Sequence, residues 1–150
     1  MIDLSHFAHA AAADRCLCVV STLRANGTIQ SSVVNAGVLD DAPTGGSVVA
    51  FVAHGATQKL ANLRARPVVT VVARGGLPWA AVEGTAVLCG PDDPLPGVDE
   101  ERLRLLLRQI FTAAGGTHDD WEAYDRAMVE DRRAAVLIAP RRAYHFNGVD

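Results

Sequence analysis

The sequence predicts a mainly β fold, an antiparallel barrel with flanking helices, in a single domain spanning residues 1–150. Three observations predict it. Five or six strand-like runs follow one another closely with few helices between them, which favours antiparallel pairing over parallel crossover units. Asn26-Gly27 between two β-branched runs is the strongest short hairpin signal. Gly84 interrupts the run "WAAVEGTAVLCG", as a bulge or sharp bend in a closing sheet would. A chain of 150 residues is long enough to bury roughly two-thirds of its unfolded surface in one core.

The elements follow in order. Residues 3–13 read as a helix, with Leu4, Phe7 and Ala11 at helical spacing. "RCLCVVSTLRANGTIQSSVVNAGVL" reads as two strands, and "SVVAFVA" as a third after the loop "DDAPTGG". "TQKLANLRARP" is a short helix opened by Thr57 as N-cap and ended before Pro67. "PVVTVVA" and "WAAVEGTAVLCG" are strands joined by the turn "RGGLP", and "PDDPLPG" is a punctuating loop. Leu103, Leu106, Leu107, Ile110 and Ala114 mark one helix face; a further helix spans roughly 119–133, with Trp121, Tyr124 and Met128 on one side. "AAVLIA" is a last strand that ends at Pro140, with "RRAYHF" as its candidate continuation.

Composition excludes several classes. A net charge of −3 argues against a nucleic-acid or anionic-membrane partner. The longest apolar run falls short of the roughly 20 residues needed to span a bilayer, and the N-terminus lacks the basic and apolar regions of a signal peptide. Three cysteines, an odd number, do not form a disulfide framework; Cys16 and Cys18 face one side of a strand as buried thiols. A cytoplasmic protein is expected.

No phosphate loop or nucleophile elbow is present. His6 and His9 have no acidic ligand beside them, so no metal site is expected, and no acid–base pair marks a catalytic residue. His54 lies between a strand end and the lysine helix, as a loop residue. Asp92, Asp93, Asp99, Glu100 and Glu101 suit a helix start, with Arg102, Arg104 and Arg108 as a solvated face pairing with them. Trp79 either packs in the core or walls a planar ligand; Trp121 and Tyr124 read as packing.

Lys59 is the only lysine, and it stands in the first turn of a helix. A cation there is unfavourable by a few tenths to about 1 kcal/mol unless an anion joins it. Helix N–H groups, the Thr57 hydroxyl and the ammonium make a phosphate site, with Lys59, Asn62 and Arg66 on adjoining positions of one face.

Four stretches, "VSTLRANGTIQSSVV", "TQKLANLRARPVVTVV", "WAAVEGTAVL" and "WEAYDRAMVEDRRAAVLIAPRRAY", cover nearly the whole chain in the order found in a known family. The sequence resembles the split β-barrel flavin-binding superfamily of pyridoxamine 5′-phosphate oxidase relatives, and within it the actinobacterial deazaflavin-dependent oxidoreductases. The resemblance implies an FMN-binding split-barrel fold and a homodimer with its cofactor in a groove between subunits. The cofactor would be the deazaflavin coenzyme F(420), with FMN as the alternative, and the reaction a hydride transfer to an electron-poor double bond of a small organic substrate. Lys59 would hold the cofactor phosphate, helped by Thr57, Gln58 and Asn62. Gln30, Ser31 and Ser32 would lie along the ring, Trp79 near its far side, and Arg66 at the acidic tail. Two departures stand out: relatives often carry arginine where this chain has Gln58, and Asn35, Ala36 and Gly37 are small where bulkier residues are usual, which leaves the ring face more open. An FMN-dependent oxidase-like enzyme and a non-enzymatic protein that holds a cofactor or other planar ligand are the alternative readings.

Overall fold

Six strands, β1 (Leu17–Leu23), β2 (Ile29–Leu39), β3 (Val48–Ala53), β4 (Val68–Arg74), β5 (Trp79–Cys89) and β6 (Ala134–Phe146), close into a barrel in a computed structural model that describes residues 1–148. The last two positions of the expected domain lie outside the described residues. The order around the barrel is β1-β2-β3-β6-β5-β4, with β4 returning to β1, and every pairing is antiparallel. Four helices flank it: α1 (Ser5–Ala13), α2 (Gln58–Ala65), α3 (Glu100–Ala113) and α4 (Trp121–Glu130). Among the described residues no helix is long and apolar enough to cross a membrane.

The hairpin forms where Asn26-Gly27 places it, with Gly27 at φ +84° and Asn26 Oδ1 accepting from the Thr28 N–H at 3.1 Å. Strand alternation then sorts the side chains. Cys18, Val20 and Thr22 point inward, and their partners Val34, Ser32 and Gln30 share that face; Ile29, Ser31 and Val33 point outward. The barrel is not sealed along β2. Residues 29–35 pair with β1, but β3 pairs only with Ala36–Leu39.

The bulge expected at Gly84 is present. Gly84 opposes Pro140 and Glu83 opposes Arg142, so Arg141 is the additional residue on β6. A Cβ at Gly84 would lie 2.2 Å from the Ala139 carbonyl oxygen, so only glycine lets the two backbones approach. Pro140 does not end the last strand. It pairs with Gly84 immediately before the bulged Arg141, and β6 continues to Phe146.

Two apolar clusters hold the fold. Val20, Phe51, Val71, Val82, Val136 and Ile138 fill the barrel, plugged by Phe7 of α1 and by Leu60 and Leu63 of α2. Leu106, Leu107 and Ile110 of α3, with Tyr124 of α4, cover Val48, Ala50 and Leu137 outside β3 and β6. Each such side chain contributes about 1.5–3 kcal/mol by leaving water. Asp99 and Asp120 cap α3 and α4 by accepting from the N–H groups of Arg102 and Ala123. These caps, and the left-handed Arg132 at φ +49°, make α4 shorter than the expected 119–133.

Candidate functional site

Between β3 and α2 the chain turns over His54–Thr57. The Thr57 N–H and hydroxyl both donate to the His54 carbonyl, at 3.2 and 2.9 Å, and the Ala56 N–H donates to His54 Nδ1 at 3.1 Å. The imidazole is thereby fixed with Nδ1 as acceptor. Gly55 presses this turn onto the one joining α4 to β6: its N–H donates to the Asp131 carbonyl, and a Cβ there would lie 2.7 Å from the Arg132 carbonyl oxygen.

That contact brings Lys59, His54, Thr57 and Arg133 to one cavity of about 390 Å³. Val33 and Asn35 of β2, Val52 of β3, Phe111 of α3 and Met128 of α4 are among its walls, and no carboxylate of the described residues lines it. Burial, and then the Arg133 guanidinium, push the Lys59 ammonium below the usual lysine pKa. Among the described residues no side-chain acceptor or carboxylate pairs with Lys59. Asp131 lies behind: one oxygen accepts from Arg133 Nε and Nη2 at 3.2 and 3.1 Å, and the other is 3.9 Å from His54 Nε2. The cavity opens where β2 parts from β3, so backbone groups of β2 that meet no strand lie along its edge.

The sequence-predicted residues divide. Lys59 and Thr57 meet in the cavity, although the Thr57 hydroxyl donates to His54 rather than capping α2. Asn62 lies outside the cavity lining: it is 1% exposed, its Nδ2 donates to Thr22 Oγ1 at 3.0 Å, and its Oδ1 accepts from Gln58 Nε2 at 2.8 Å. Gln58 is thus turned along α2 and away from Lys59. Gln30 accepts from Thr22 Oγ1 at 3.0 Å and joins the same inward chain. Of the three residues expected along the ring, Gln30 and Ser32 face inward and Ser31 outward: Ser31 lies 2.9 Å from Ser21 Oγ, and the Ser32 hydroxyl is buried and has no partner among the described residues. Arg66 donates through Nε to the Leu23 carbonyl at 2.9 Å, which ties α2 to the hairpin. Trp79 lies away from this cavity, with its ring 6.0 Å from Tyr144 in an edge-on contact.

Ala36 and Gly37 lie beneath α3. Both are buried, and a Cβ at Gly37 would lie 2.3 Å from the Ala113 carbonyl oxygen, because the end of α3 rests directly on β2. Of the α3 arginines, Arg104 pairs with Glu101 as expected and, together with Arg108, also reaches Asp125 on α4, whereas Asp92 and Asp93 accept from Arg132 and Arg64. Sequence reasoning missed Arg133 altogether, since its only signal was a pair of arginines ahead of a strand.

No protein-family model matches this chain. Solved structures do. One is a conserved hypothetical protein from Mycobacterium tuberculosis, 17% identical, with a TM-score of 0.69 over 99% of this chain and 86% of that one. A pyridoxamine 5′-phosphate oxidase-related, FMN-binding protein from Nostoc punctiforme is 15% identical, with a TM-score of 0.64 over 97% of this chain and 84% of that one. An F(420) reductase is 16% identical, with a TM-score of 0.57 over 87% of this chain and 90% of that one. At these identities the likeness establishes the architecture, a split barrel of the FMN-binding type.

Proposed function

We propose that the Lys59 cavity binds a flavin-type cofactor and that the chain is an oxidoreductase, passing hydride from reduced coenzyme F(420) to an electron-poor double bond of a small organic substrate. The observation that carries this is the cavity's composition: two cations, no lining carboxylate among the described residues, an apolar wall of Val33, Val52, Phe111 and Met128, and an open strand edge. A phosphate suits the cations, a planar ring suits the wall, and the polar rim of a heterocycle suits unpaired backbone groups. The FMN-binding and F(420) reductase folds among the structural relatives support the cofactor class.

The cofactor, once bound, supplies the hydride chemistry. The chain's own residues hold the phosphate through Lys59 and exclude water with Phe111 and Met128. One observation favours FMN as the second reading. Arg64 is engaged by Asp93 and Arg66 by Leu23, which leaves the acidic tail of F(420) without cations from α2.

We further propose a homodimer with the cofactor between copies. Val19, Ile29, Val33 and Val68 stand 43%, 67%, 63% and 54% exposed on the outer sheet face, and Val33 also lines the cavity, so a copy docked there would wall the site.

Titration with F(420) and FMN, followed by fluorescence, tests the reading on wild type and on Lys59→Ala. The variant should lose roughly 1–3 kcal/mol of cofactor affinity, or tenfold to over a hundredfold. Its ligand-free thermal midpoint should hold or rise, since repulsion from Arg133 and the helix dipole is relieved. An unchanged dissociation constant would sink the assignment. Tight binding with no turnover on quinone or unsaturated-lactone acceptors would favour a non-enzymatic cofactor-holding protein.

A further inference from the structure

We propose that the outer face of the barrel holds a second ligand site, a seat for a small organic acid at the bulge between β5 and β6. The proposal rests on the reading above and names the substrate class, an apolar body that carries a carboxylate. A cavity of about 400 Å³ lies there, walled by Leu23, Ile29 and Val68 and rimmed by Glu83, Arg141 and Arg142. The bulge makes the pair of cations. Strict alternation sends neighbouring side chains to opposite faces, but Arg141 is the additional residue of β6, and it lines the same cavity as Arg142.

The charges around this cavity suit an anion. Glu83 stands opposite Arg142 in register, yet its Oε2 accepts from the Tyr144 hydroxyl at 2.7 Å, and no carboxylate of the described residues pairs with Arg141 or Arg142. Two further guanidiniums bond the backbone of the walls: Arg24 Nη1 donates to the Ile29 carbonyl at 3.0 Å, and Arg66 Nε to that of Leu23 at 2.9 Å. Four arginines thus stand about a cavity that Glu83 alone lines with a carboxylate among the described residues, in a chain of net charge −3. Ser31, Ser21, Thr70, Glu83 and Arg142 are register partners in one row across five strands. That row starts on the open strand β2, and the cavity itself reaches Ser21 and Ile29. An acid seated on the arginines would therefore extend toward the edge where a cofactor ring would lie. Ile29 and Val68 also belong to the proposed docking face, so a second copy would roof the seat.

The probes are trans-cinnamate and its neutral amide, close in shape, titrated calorimetrically into the full chain at constant ionic strength. Wild type should bind cinnamate at least about tenfold more tightly than cinnamamide. Arg141→Gln and Arg142→Gln should each remove most of that ratio with the affinity for the amide unchanged, and Arg142→Lys should retain part of it. Thr70→Trp fills the cavity and should abolish binding of both compounds. Lys59→Ala should keep the ratio, which separates this seat from the Lys59 cavity. An unaltered ratio in both glutamine variants, or a ratio lost in Lys59→Ala instead, overturns the seat. Weaker F(420) binding in the glutamine variants with FMN binding intact assigns the arginines to the acidic tail of the cofactor. Dimer dissociation in those variants without any cinnamate preference in wild type assigns them to a second copy, and either result overturns the substrate reading. A cinnamate preference lost in the glutamine variants of a protein that binds neither FMN nor F(420) overturns the cofactor reading and leaves the seat.

Discussion

Asn62 carries a polar chain through the interior: Gln58 donates to Asn62, Asn62 to Thr22, and Thr22 to Gln30, which joins α2 to both strands of the first hairpin. Replacing Asn62 by alanine takes a donor from the buried Thr22 hydroxyl and an acceptor from the Gln58 amide, and should cost about 1–3 kcal/mol in denaturant unfolding. The same change should leave FMN affinity near wild type, because Asn62 does not reach the cavity. A stability loss too small to measure would remove the chain's structural role. Spacing along α2 put Lys59 and Asn62 on adjoining positions, but it could not separate the residue that lines the cavity from the one that is buried. Which polar side chain meets solvent and which meets Thr22, forty positions earlier, depends on how the helix rolls onto the barrel.

At the scale of elements, α3 and α4 are joined by Asp125, which accepts from Arg108 Nε at 2.9 Å and Arg104 Nη1 at 3.1 Å, while Arg108 also lies over the Trp121 ring. The Arg108 and Arg104 hydrogen bonds hold the Asp125 carboxyl below its usual pKa. A carboxyl depressed in the folded state lends stability that is full above the unfolded value, near 3.9, and is lost as pH falls through the folded value. The thermal midpoint of wild type should therefore fall in acid below about pH 4. Asp125→Asn should melt lower than wild type at neutral pH and show a shallower acid dependence; parallel profiles for the two proteins would contradict this. The apolar spacing of α3 and α4 was legible, as were most strand positions. The Arg104–Glu101 pair was legible too, but the reach of Arg104 and Arg108 to Asp125 was not, because charges near in sequence compete with charges that only packing brings near. Pro140 misled for a related reason: its bar to ladder pairing is real, and Gly84 across the sheet accommodates it.

For the molecule as a whole, strand number and antiparallel sense could be read from turn signals, whereas the insertion of β6 between β3 and β5 could not, since no local pattern encodes a pairing across most of the chain. The proposed dimer belongs to this scale. Ile29, 67% exposed on the outer face, can take a charge without disturbing the barrel, so Ile29→Arg should sediment as a folded monomer where wild type sediments as a dimer. A wild-type monomer at micromolar concentration would end that proposal. The parting of β2 from β3 has one more consequence. Along residues 29–35 one edge is bonded to β1 and the other meets no strand, so alternate amides have opposite fates. In deuterated water the inward-bonded ones should stay protonated for as long as the barrel holds, while those between them exchange early. Anything that fills the gap, a heterocycle or a second copy, would silence that alternation amide by amide, writing its outline along a single strand.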